Sequence, residues 1–446
     1  MKPRKILIKI GLVLLIAVTA VVAVRAILNY TEGRLLARTL ADLKAQGVPL
    51  NVKELTAPCP EADNAARLWR AAANLLAIEN EDKALLGRAF QDLVALKPLE
   101  PSDRSALEGI VAKNQEALGL LHAMADKPCF LYRDPRAPFA ETIIPGMVKM
   151  IQATRLMGFE ALLRAEKGDV RSATERIRSG LGFASKVAQE ATMITQLIAV
   201  ADTRMLASFL EAICRGRKVD EEILLRLIAD LEPKPWRVRL AQAIKGERVF
   251  FIEMAKRAAS GARLENEYIL FGEPSILNDI RVWLIRPLLK TDIRRTLPKL
   301  IDLEAQALHP YYESRGSLRA QERQIETLPW YAYMSKLILG NFEAAFLKEA
   351  QLEATLLAAR TGLACKLFEN RTGAYPESLE ALVPNILAEV PIDPFTGKPF
   401  VYRREGEGFI VYSLGSNEKD DGGRSTYMIT QMVMEKDDDW TWKEDR

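Results

Sequence analysis

The sequence predicts a mainly α-helical protein with three parts: an N-terminal transmembrane helix, a repeat-like domain of helical hairpins, and a small α+β C-terminal module with a short antiparallel sheet. Three observations predict this fold class: an apolar run near the N-terminus, apolar residues at helical spacing up to about residue 370, and proline-rich, alternating sequence after that point. We place the three parts at residues 1–30, 31–340 and 341–446. With 446 residues, the chain is long enough for two or three folding units.

The composition excludes several classes of protein. Hydrophobic residues make up 49% of the chain and charged residues 27%, which are values of a globular protein. They exclude a disordered chain and a membrane protein with many spans. The formal net charge is only +3, from 62 basic and 59 acidic residues, so no global field favours nucleic acid. We expect no nucleic-acid partner.

The first predicted element is a helix that can span a membrane. Residues 10–24 carry no charge, and the apolar run extends over residues 6–28 with only Lys9 and Arg25 inside it. At about 1.5 Å per residue, this run crosses a hydrocarbon core of about 30 Å, and both basic side chains can reach the interface. Basic residues concentrate before the run, which predicts a cytoplasmic N-terminus and an exported remainder of the chain.

Two fates of this segment stay open. As a retained anchor, it holds a single-pass protein in the bacterial inner membrane, with the C-terminal bulk in the periplasm. As a signal peptide, it is cleaved after a pair of small residues, either Val18 and Ala20 or Val21 and Ala23. In both cases the chain beyond Tyr30 leaves the cytoplasm.

The second part has the apolar periodicity of stacked helical hairpins. We predict helices over about 147–166, 193–214 and 220–231, with a turn at Gly168-Asp169 between the first of these and a further helix. The packing style resembles that of tetratricopeptide-type repeats, but the sequence has no fixed repeat period. Clusters of prolines are expected to end or bend the helices.

One stretch of this part allows two interpretations. Between Ile280 and Leu300, apolar residues such as Trp283 alternate with six basic residues, a pattern typical of a helix that lies on an anionic membrane surface. The alternative is a core helix with a solvated basic face. Pro287 and Pro298 are expected to weaken any long continuous helix here.

The four cysteines form no metal-binding or disulfide-rich pattern. They are far apart and lack CxxC spacing. Cys59 and Cys129 lie near prolines in predicted loops, and they could pair in an oxidising compartment. Cys214 and Cys365 lie on apolar helical faces, where we expect them to be small buried residues.

The sequence shows no catalytic motif, and we expect no catalytic site. It contains no P-loop, no GxSxG elbow, no HExxH pair and no glycine-rich nucleotide fingerprint. Its two histidines, His122 and His309, are far apart, which disfavours Ser–His, Cys–His and histidine-rich zinc sites. A hydrolase that uses paired carboxylates stays open, because spacing does not show which acids meet across a fold.

The third part is predicted to begin with a long helix and to end in a small sheet. The apolar face of the helix includes Leu352 and Leu367, and Thr372-Gly373 is a stop signal. A short helical turn over residues 378–383 and several prolines follow. Two strands are then predicted, over 400–403 and 408–413.

Residues of this third part match the pattern of a known family. They are Tyr375-Pro376, Leu379, Leu382, Val383-Pro384, Pro391, Asp393-Pro394-Phe395, Gly397, Tyr402, Phe409, Tyr412-Ser413-Leu414-Gly415 and Asp420-Asp421-Gly422-Gly423. In order and spacing the region resembles the C-terminal half of the type II secretion major pseudopilin, over about a fifth of the chain. Gly11 is followed by five apolar residues where that family has a glutamate in the fifth place, so we expect no processing or polymerisation as a pilin.

The resemblance implies a calcium site, because the family binds calcium in the loop after its Tyr-Ser-x-Gly turn. The implied ligands are the carbonyl of Leu414 and the side chains of Ser416, Asp420, Asp421, Asp437 and Asp439. Such oxygens suit a hard cation, which takes about six to eight of them. The alternative interpretation is a solvated acidic turn.

Two functions follow from these expectations. In the first, the protein is a membrane-anchored, non-enzymatic envelope component for scaffolding or assembly, with protein partners in the cell envelope and a calcium-stabilised C-terminal module. In the second, the helical part holds a pocket and acts as an envelope hydrolase or a ligand-binding protein. A deep pocket lined by acids favours the second function, and a shallow groove favours the first.

Overall fold

The computed structural model describes residues 3–55, 57–133, 147–260, 275–340, 342–424 and 440–444. These ranges are mainly helical and carry one three-stranded antiparallel sheet. The helices are α1 (Pro3–Ala45), α2 (Val52–Leu55), α3 (Ala65–Leu75), α4 (Asn80–Val94), α5 (Pro101–Lys113), α6 (Gln115–Met124), α7 (Met147–Glu166), α8 (Val170–Val187), α9 (Met193–Cys214), α10 (Glu221–Asp230), α11 (Lys234–Ser260), α12 (Ile276–Gln306), α13 (Tyr311–Glu326), α14 (Tyr333–Leu339) and α15 (Phe342–Thr372).

The sheet confirms the predicted β structure and adds a strand. Its strands are β1 (Val401–Glu405), β2 (Gly408–Ser413) and β3 (Trp440–Glu444), in that order across the sheet. Both pairs are antiparallel, with Glu405 opposite Gly408 and Ser413 opposite Trp440. The strand β3 was not predicted, because its five residues stand among charged residues with no turn signal next to them.

The first helix does not end at Tyr30 but continues to Ala45. No glycine or proline interrupts it between these residues except Gly33, and it stops where Gly47 adopts a positive φ of 75°. Leu36 and Leu43 are buried in the folded part, whereas the large apolar side chains from Ile10 to Ile27 are largely exposed. One continuous helix therefore joins the apolar segment directly to the core.

The helical hairpins occur where the periodicity predicts them. The helices α7, α9 and α10 match the predicted ranges to within a residue, and α8 is the further helix predicted after the turn. Gly168 makes the turn between α7 and α8 with a φ of 89°, and the Asp169 carboxylate accepts a hydrogen bond from the Ser172 N–H as an N-cap. Local signals are strong enough here to fix both the helices and the turn.

The expected interruption at Pro287 and Pro298 is wrong, because α12 runs through both residues. A proline inside a helix supplies no N–H, so the carbonyl four residues earlier loses its helical partner. For Pro287 that carbonyl belongs to Trp283, and it accepts a hydrogen bond of 2.8 Å from Nε of Arg25 in α1 instead. A contact from a distant helix thus satisfies the carbonyl that the proline leaves open.

Two hydrophobic cores share the helix α15. The first contains aromatic residues of the hairpins, among them Phe159 and Phe209 with ring centroids 4.9 Å apart, together with β2 and the second half of α15. The second core joins Leu36 of α1 to α11, α12 and the first half of α15. Since α15 is buried on most of its sides, it connects the C-terminal sheet to both cores.

The cysteines follow the predicted division. Cys59 and Cys129 form a disulfide with a Cα–Cα distance of 5.9 Å, which is within the usual range. The segments around it are also joined by a hydrogen bond of 2.9 Å from the Ala65 N–H to the Cys129 carbonyl. Cys214 and Cys365 are free thiols and are buried, as expected.

Candidate functional site

A cleft of about 910 Å³ opens in the helical part. Most of its lining residues lie in or next to α6, α8 and α11, and α9, α10 and α15 contribute one residue each. Most of its lining side chains are polar or charged. The charged or histidine side chains among them are His122, Asp126, Glu175, Arg176, Arg178, Asp230, Glu232 and Arg239.

Three side chains at one wall of the cleft form a hydrogen-bonded chain. Nδ1 of His122 lies 2.9 Å from Oγ of Ser179, and Nε2 of His122 lies 2.7 Å from Oε2 of Glu160. His122 and Glu160 are buried, whereas Ser179 and His122 both line the cleft. These hydrogen bonds therefore connect the buried Glu160 carboxylate to the cleft.

The surroundings of Glu160 keep its carboxylate ionised. Burial opposes ionisation, but the hydrogen bond from His122 and the charges of His122 and Arg176 outweigh it and lower the pKa of Glu160. Arg164 adds a hydrogen bond of 3.1 Å, and Nε of Arg176 lies 3.6 Å away. An ionised Glu160 fixes a hydrogen on Nε2 of His122, which leaves Nδ1 to accept the Ser179 hydroxyl proton when the ring is neutral.

This arrangement can move a proton, and its serine lies in the middle of a helix. Serine, imidazole and carboxylate in sequence are the groups that activate a serine nucleophile. Ser179 also lies 3.1 Å from the carbonyl of His122, which gives its hydroxyl a second acceptor. Ser179 is inside α8, where the backbone N–H groups bond to helical carbonyls, so the backbone of α8 around Ser179 does not supply an oxyanion hole.

The opposite end of the cleft carries an aromatic and cationic group. The guanidinium of Arg239 lies over the Trp236 ring, 4.7 Å from its centroid, and donates a hydrogen bond of 2.6 Å to Oγ of Ser185. Burial lowers the pKa of Arg239, and burial together with the charge of Arg239 lowers the pKa of Lys186. These groups are partly desolvated, which strengthens their attraction to a carboxylate.

Acidic side chains balance these cations along the cleft. Arg178 pairs with Glu175 at 3.0 Å and also with Asp230. The cleft therefore presents both signs of charge with an aromatic surface between them. A groove of this kind suits a polypeptide that carries both acidic and basic side chains, better than it suits an apolar ligand.

The predicted calcium ligands are only partly within the described residues. Oδ1 of Asp420 accepts hydrogen bonds from the Tyr412 hydroxyl at 2.7 Å and from the Gly422 N–H at 2.9 Å, and these bonds lower the pKa of Asp420. Oδ2 of Asp421 accepts a bond of 2.9 Å from Asn417. Three hydrogen-bond donors, namely a hydroxyl, a backbone N–H and a side-chain amide, thus already bind carboxylate oxygens of the acidic turn.

The remaining predicted ligands give no closed set. The N–H of Leu414 donates to Asp393, and Ser416 is in the same turn, but Asp437 and Asp439 lie outside the described residues. In the ranges that the structure covers, no group of three or more His, Cys, Asp or Glu side chains could hold a metal ion. Calcium takes about six to eight oxygens, so the described residues do not complete such a site and the calcium ligands stay a prediction.

Asp393 is not one of the predicted calcium ligands, but it holds this part of the fold together. Its buried carboxylate accepts hydrogen bonds from the Phe395 N–H at 2.8 Å, the Ser413 hydroxyl at 2.9 Å and the Leu414 N–H at 2.9 Å. It joins the end of β2 to the proline-rich segment before β1. The Asp-Pro-Phe motif was visible in the sequence, whereas its partners twenty residues later were not.

The segment of α1 before Arg25 is the second candidate site, for a membrane. Within the described residues, α1 is the one helix that is long and apolar enough to cross a bilayer, a property that a signal sequence shares. Its exposed large apolar side chains before Arg25 are Ile10, Leu12, Val13, Leu14, Leu15, Ile16, Val18, Val21, Val22 and Val24.

Comparison of the chain with protein-family models, curated proteins and solved structures finds no match.

Proposed function

We propose that the chain is a non-enzymatic scaffold of the bacterial cell envelope, held in the inner membrane by α1 with its bulk in the periplasm. The observation that carries this proposal is the continuity of α1. The same helix exposes an apolar surface before Arg25 and buries Leu36 and Leu43 in the core. A membrane removes that apolar surface from water. Because α1 continues into the core without a linker, the folded part lies close to the bilayer.

The disulfide supports a location outside the cytoplasm. Cys59 and Cys129 are 70 residues apart in sequence and form a disulfide, while Cys214 and Cys365 stay buried as thiols. Disulfides persist in the periplasm and are rare in the reducing cytoplasm. The positive residues before the apolar run favour the same orientation.

The cleft supports a scaffolding function with a protein partner. Its mixed charges and the Arg239–Trp236 pair suit an extended polypeptide of an envelope partner. The C-terminal module, with its resemblance to a pseudopilin and its predicted calcium loop, is the part proposed to make assembly or secretion contacts. This part of the proposal rests on the resemblance alone.

Alkaline extraction of membranes tests the anchor. The native-length chain should stay in the pellet after a carbonate wash, and its intact mass should include the residues of α1. A matched variant with Leu14→Arg and Val18→Arg disrupts the apolar run and should move to the soluble fraction. A wild-type chain that is released by the wash, or whose mass lacks about the first twenty residues, contradicts a retained anchor.

A second function, hydrolysis at Ser179, is favoured by one observation: the Ser179–His122–Glu160 chain opens into the cleft. A fluorophosphonate probe labels serines that such a chain activates. If the probe labels the wild type but not Ser179→Ala, and labels Ser185→Ala as the wild type, the protein is a hydrolase and the scaffold proposal is wrong. Absence of labelling at any pH between 6 and 9 supports the scaffold.

A further inference from the structure

The helices α1 and α12 lie side by side and run in the same direction. Arg25 contacts Trp283, Asn29 accepts a hydrogen bond of 2.7 Å from Nζ of Lys290, and Glu32 pairs with Arg294 at 3.2 Å. Residues later in α1 contact residues later in α12, so the two helices are parallel. The start of α12 is therefore beside the part of α1 that precedes Arg25.

The contact between Arg25 and Trp283 is specific. The guanidinium lies over the indole ring, 3.8 Å from its centroid, and Nε donates to the Trp283 carbonyl at 2.8 Å. That carbonyl is available because Pro287, four residues later, has no N–H. These two contacts fix α12 against α1 in one register.

This register gives the depth of the start of α12. Ile276 precedes Trp283 by seven residues, which is about 10 Å of helix at 1.5 Å per residue. Ile276 therefore stands beside the uncharged segment of α1 that is proposed to span the membrane. An apolar segment of α12 at that level meets lipid as α1 does.

The side chains at the start of α12 suit that position. Ile276 is 80% exposed and Ile280 is 51% exposed, and Trp283 and Leu284 are partly exposed, whereas Ile285, Leu289 and Ile293 are buried. Four apolar side chains within nine residues thus keep a large share of their surface exposed in the described part of the fold. Tryptophan prefers the interface between lipid and water.

Charges at the same level suit phospholipid headgroups. Arg25, Arg281 and Arg286 lie within about one turn of Trp283 along the two helices, and Asp279 is the acid on this stretch of α12. Lys290 is buried and bonded to Asn29, so it is not part of this belt. Arginine and lysine bind phosphate oxygens, and their stems can lie along apolar surface. The combination of an apolar face, a tryptophan and a basic belt is the pattern of an interfacial helix segment.

We propose that the first two turns of α12 (276–284) insert into the periplasmic leaflet of the membrane beside α1, as a second lipid contact whose basic belt binds phospholipid phosphates at the interface. This proposal rests on the proposed anchor. Two contacts, joined by the Arg25–Trp283 pair, hold the folded part in one orientation to the bilayer. The cleft then stands at a fixed height above the membrane.

Spin labels in the full-length protein, reconstituted in nanodiscs with anionic phospholipid, test the proposal. The four native cysteines should not react with the label, since two are paired and two are buried. Ile280→Cys carries the test label, Ile16→Cys the label in α1, and Leu308→Cys, beyond the end of α12, the label in water. All three positions are more than half exposed, so the substitutions remove little packing.

Accessibility to oxygen and to a nickel chelate then reports depth. We expect the Ile280 label to be relaxed more by oxygen than by the chelate, as the Ile16 label is, and the Leu308 label to show the reverse. If Ile16 is in lipid but Ile280 is in water, the second contact is wrong and the anchor stands. If Ile280 is shielded from both reagents, a protein surface covers it and the proposal is also wrong. If Ile16 is in water, the anchor itself fails.

Discussion

Removal of the disulfide gives the most quantitative test of how the helical part is held together. The bridge joins residues 70 apart, and for a loop of that length the chain-entropy estimate of its stabilisation is about 4 kcal/mol at 25 °C. The bridge also secures a local network, because Asn64 exchanges hydrogen bonds of 2.8 and 3.0 Å with the backbone of Leu131. For a folded part of about 400 residues that unfolds in one step, about 4 kcal/mol corresponds to a lower Tm by about 5 °C.

Thermal unfolding of the full-length protein in detergent measures this effect. The double variant Cys59→Ser with Cys129→Ser should melt about 5 °C below the wild type, and a phosphine reductant should bring the wild type to the same Tm. The reductant should leave the Tm of the double variant unchanged, since its remaining cysteines are not paired. If mass spectrometry shows that the bridge is reduced while the Tm is unchanged, the bridge does not stabilise the fold and the reasoning is refuted.

Three further predictions concern burial, packing and metal binding. Burial raises the pKa of the Glu349 carboxyl to about 8; the folded state then holds a proton that the unfolded state loses near pH 4.5, so the free energy of unfolding should fall by up to about 5 kcal/mol as pH rises from about 4.5 to about 8. Urea unfolding of Glu349→Gln should show a smaller fall, and an equal fall assigns the pH dependence to other groups. A Cβ at Gly362 would overlap the ring of Trp442 in β3, so Gly362→Ala should lower the free energy of unfolding by about 1–3 kcal/mol. Gly109 has open space, so Gly109→Ala should be neutral or stabilising. Equal effects of the two substitutions would contradict this packing. Calcium should raise the Tm of the wild type but not of Asp420→Ala if the loop binds it, and no shift in the wild type removes calcium from the proposed function.

The sequence predicts those elements whose signals are local. The helix α9 begins and ends where predicted, because the Thr192 hydroxyl accepts from the Thr195 N–H at its start and apolar residues repeat along its length. The strand β2 is also where its alternating aromatic and branched residues place it. Its neighbour β3 depends on pairing with β2 and on burial of Trp442 against α15, which no local pattern expresses.

The residues of the candidate site could not be predicted in this way. His122 has unremarkable helical neighbours in sequence, and its partners Glu160 and Ser179 are 38 and 57 residues away. The rule for Pro287 failed for the same reason, since the group that satisfies the freed carbonyl is Arg25, 258 residues earlier than Trp283. Both are contacts between helices, so they follow from the packing of the fold and not from periodicity.

Labelling with a membrane-impermeant maleimide tests the central claim, that α1 stays in the inner membrane and the folded part lies outside the cytoplasm. The reagent is applied to intact spheroplasts that carry Leu308→Cys or, as the cytoplasmic control, Arg4→Cys. The account predicts that the first variant is labelled, that the second is labelled only after lysis, and that both are recovered at full length in the membrane pellet. Protection of Leu308→Cys until lysis, or its recovery as a shortened soluble chain, would contradict it.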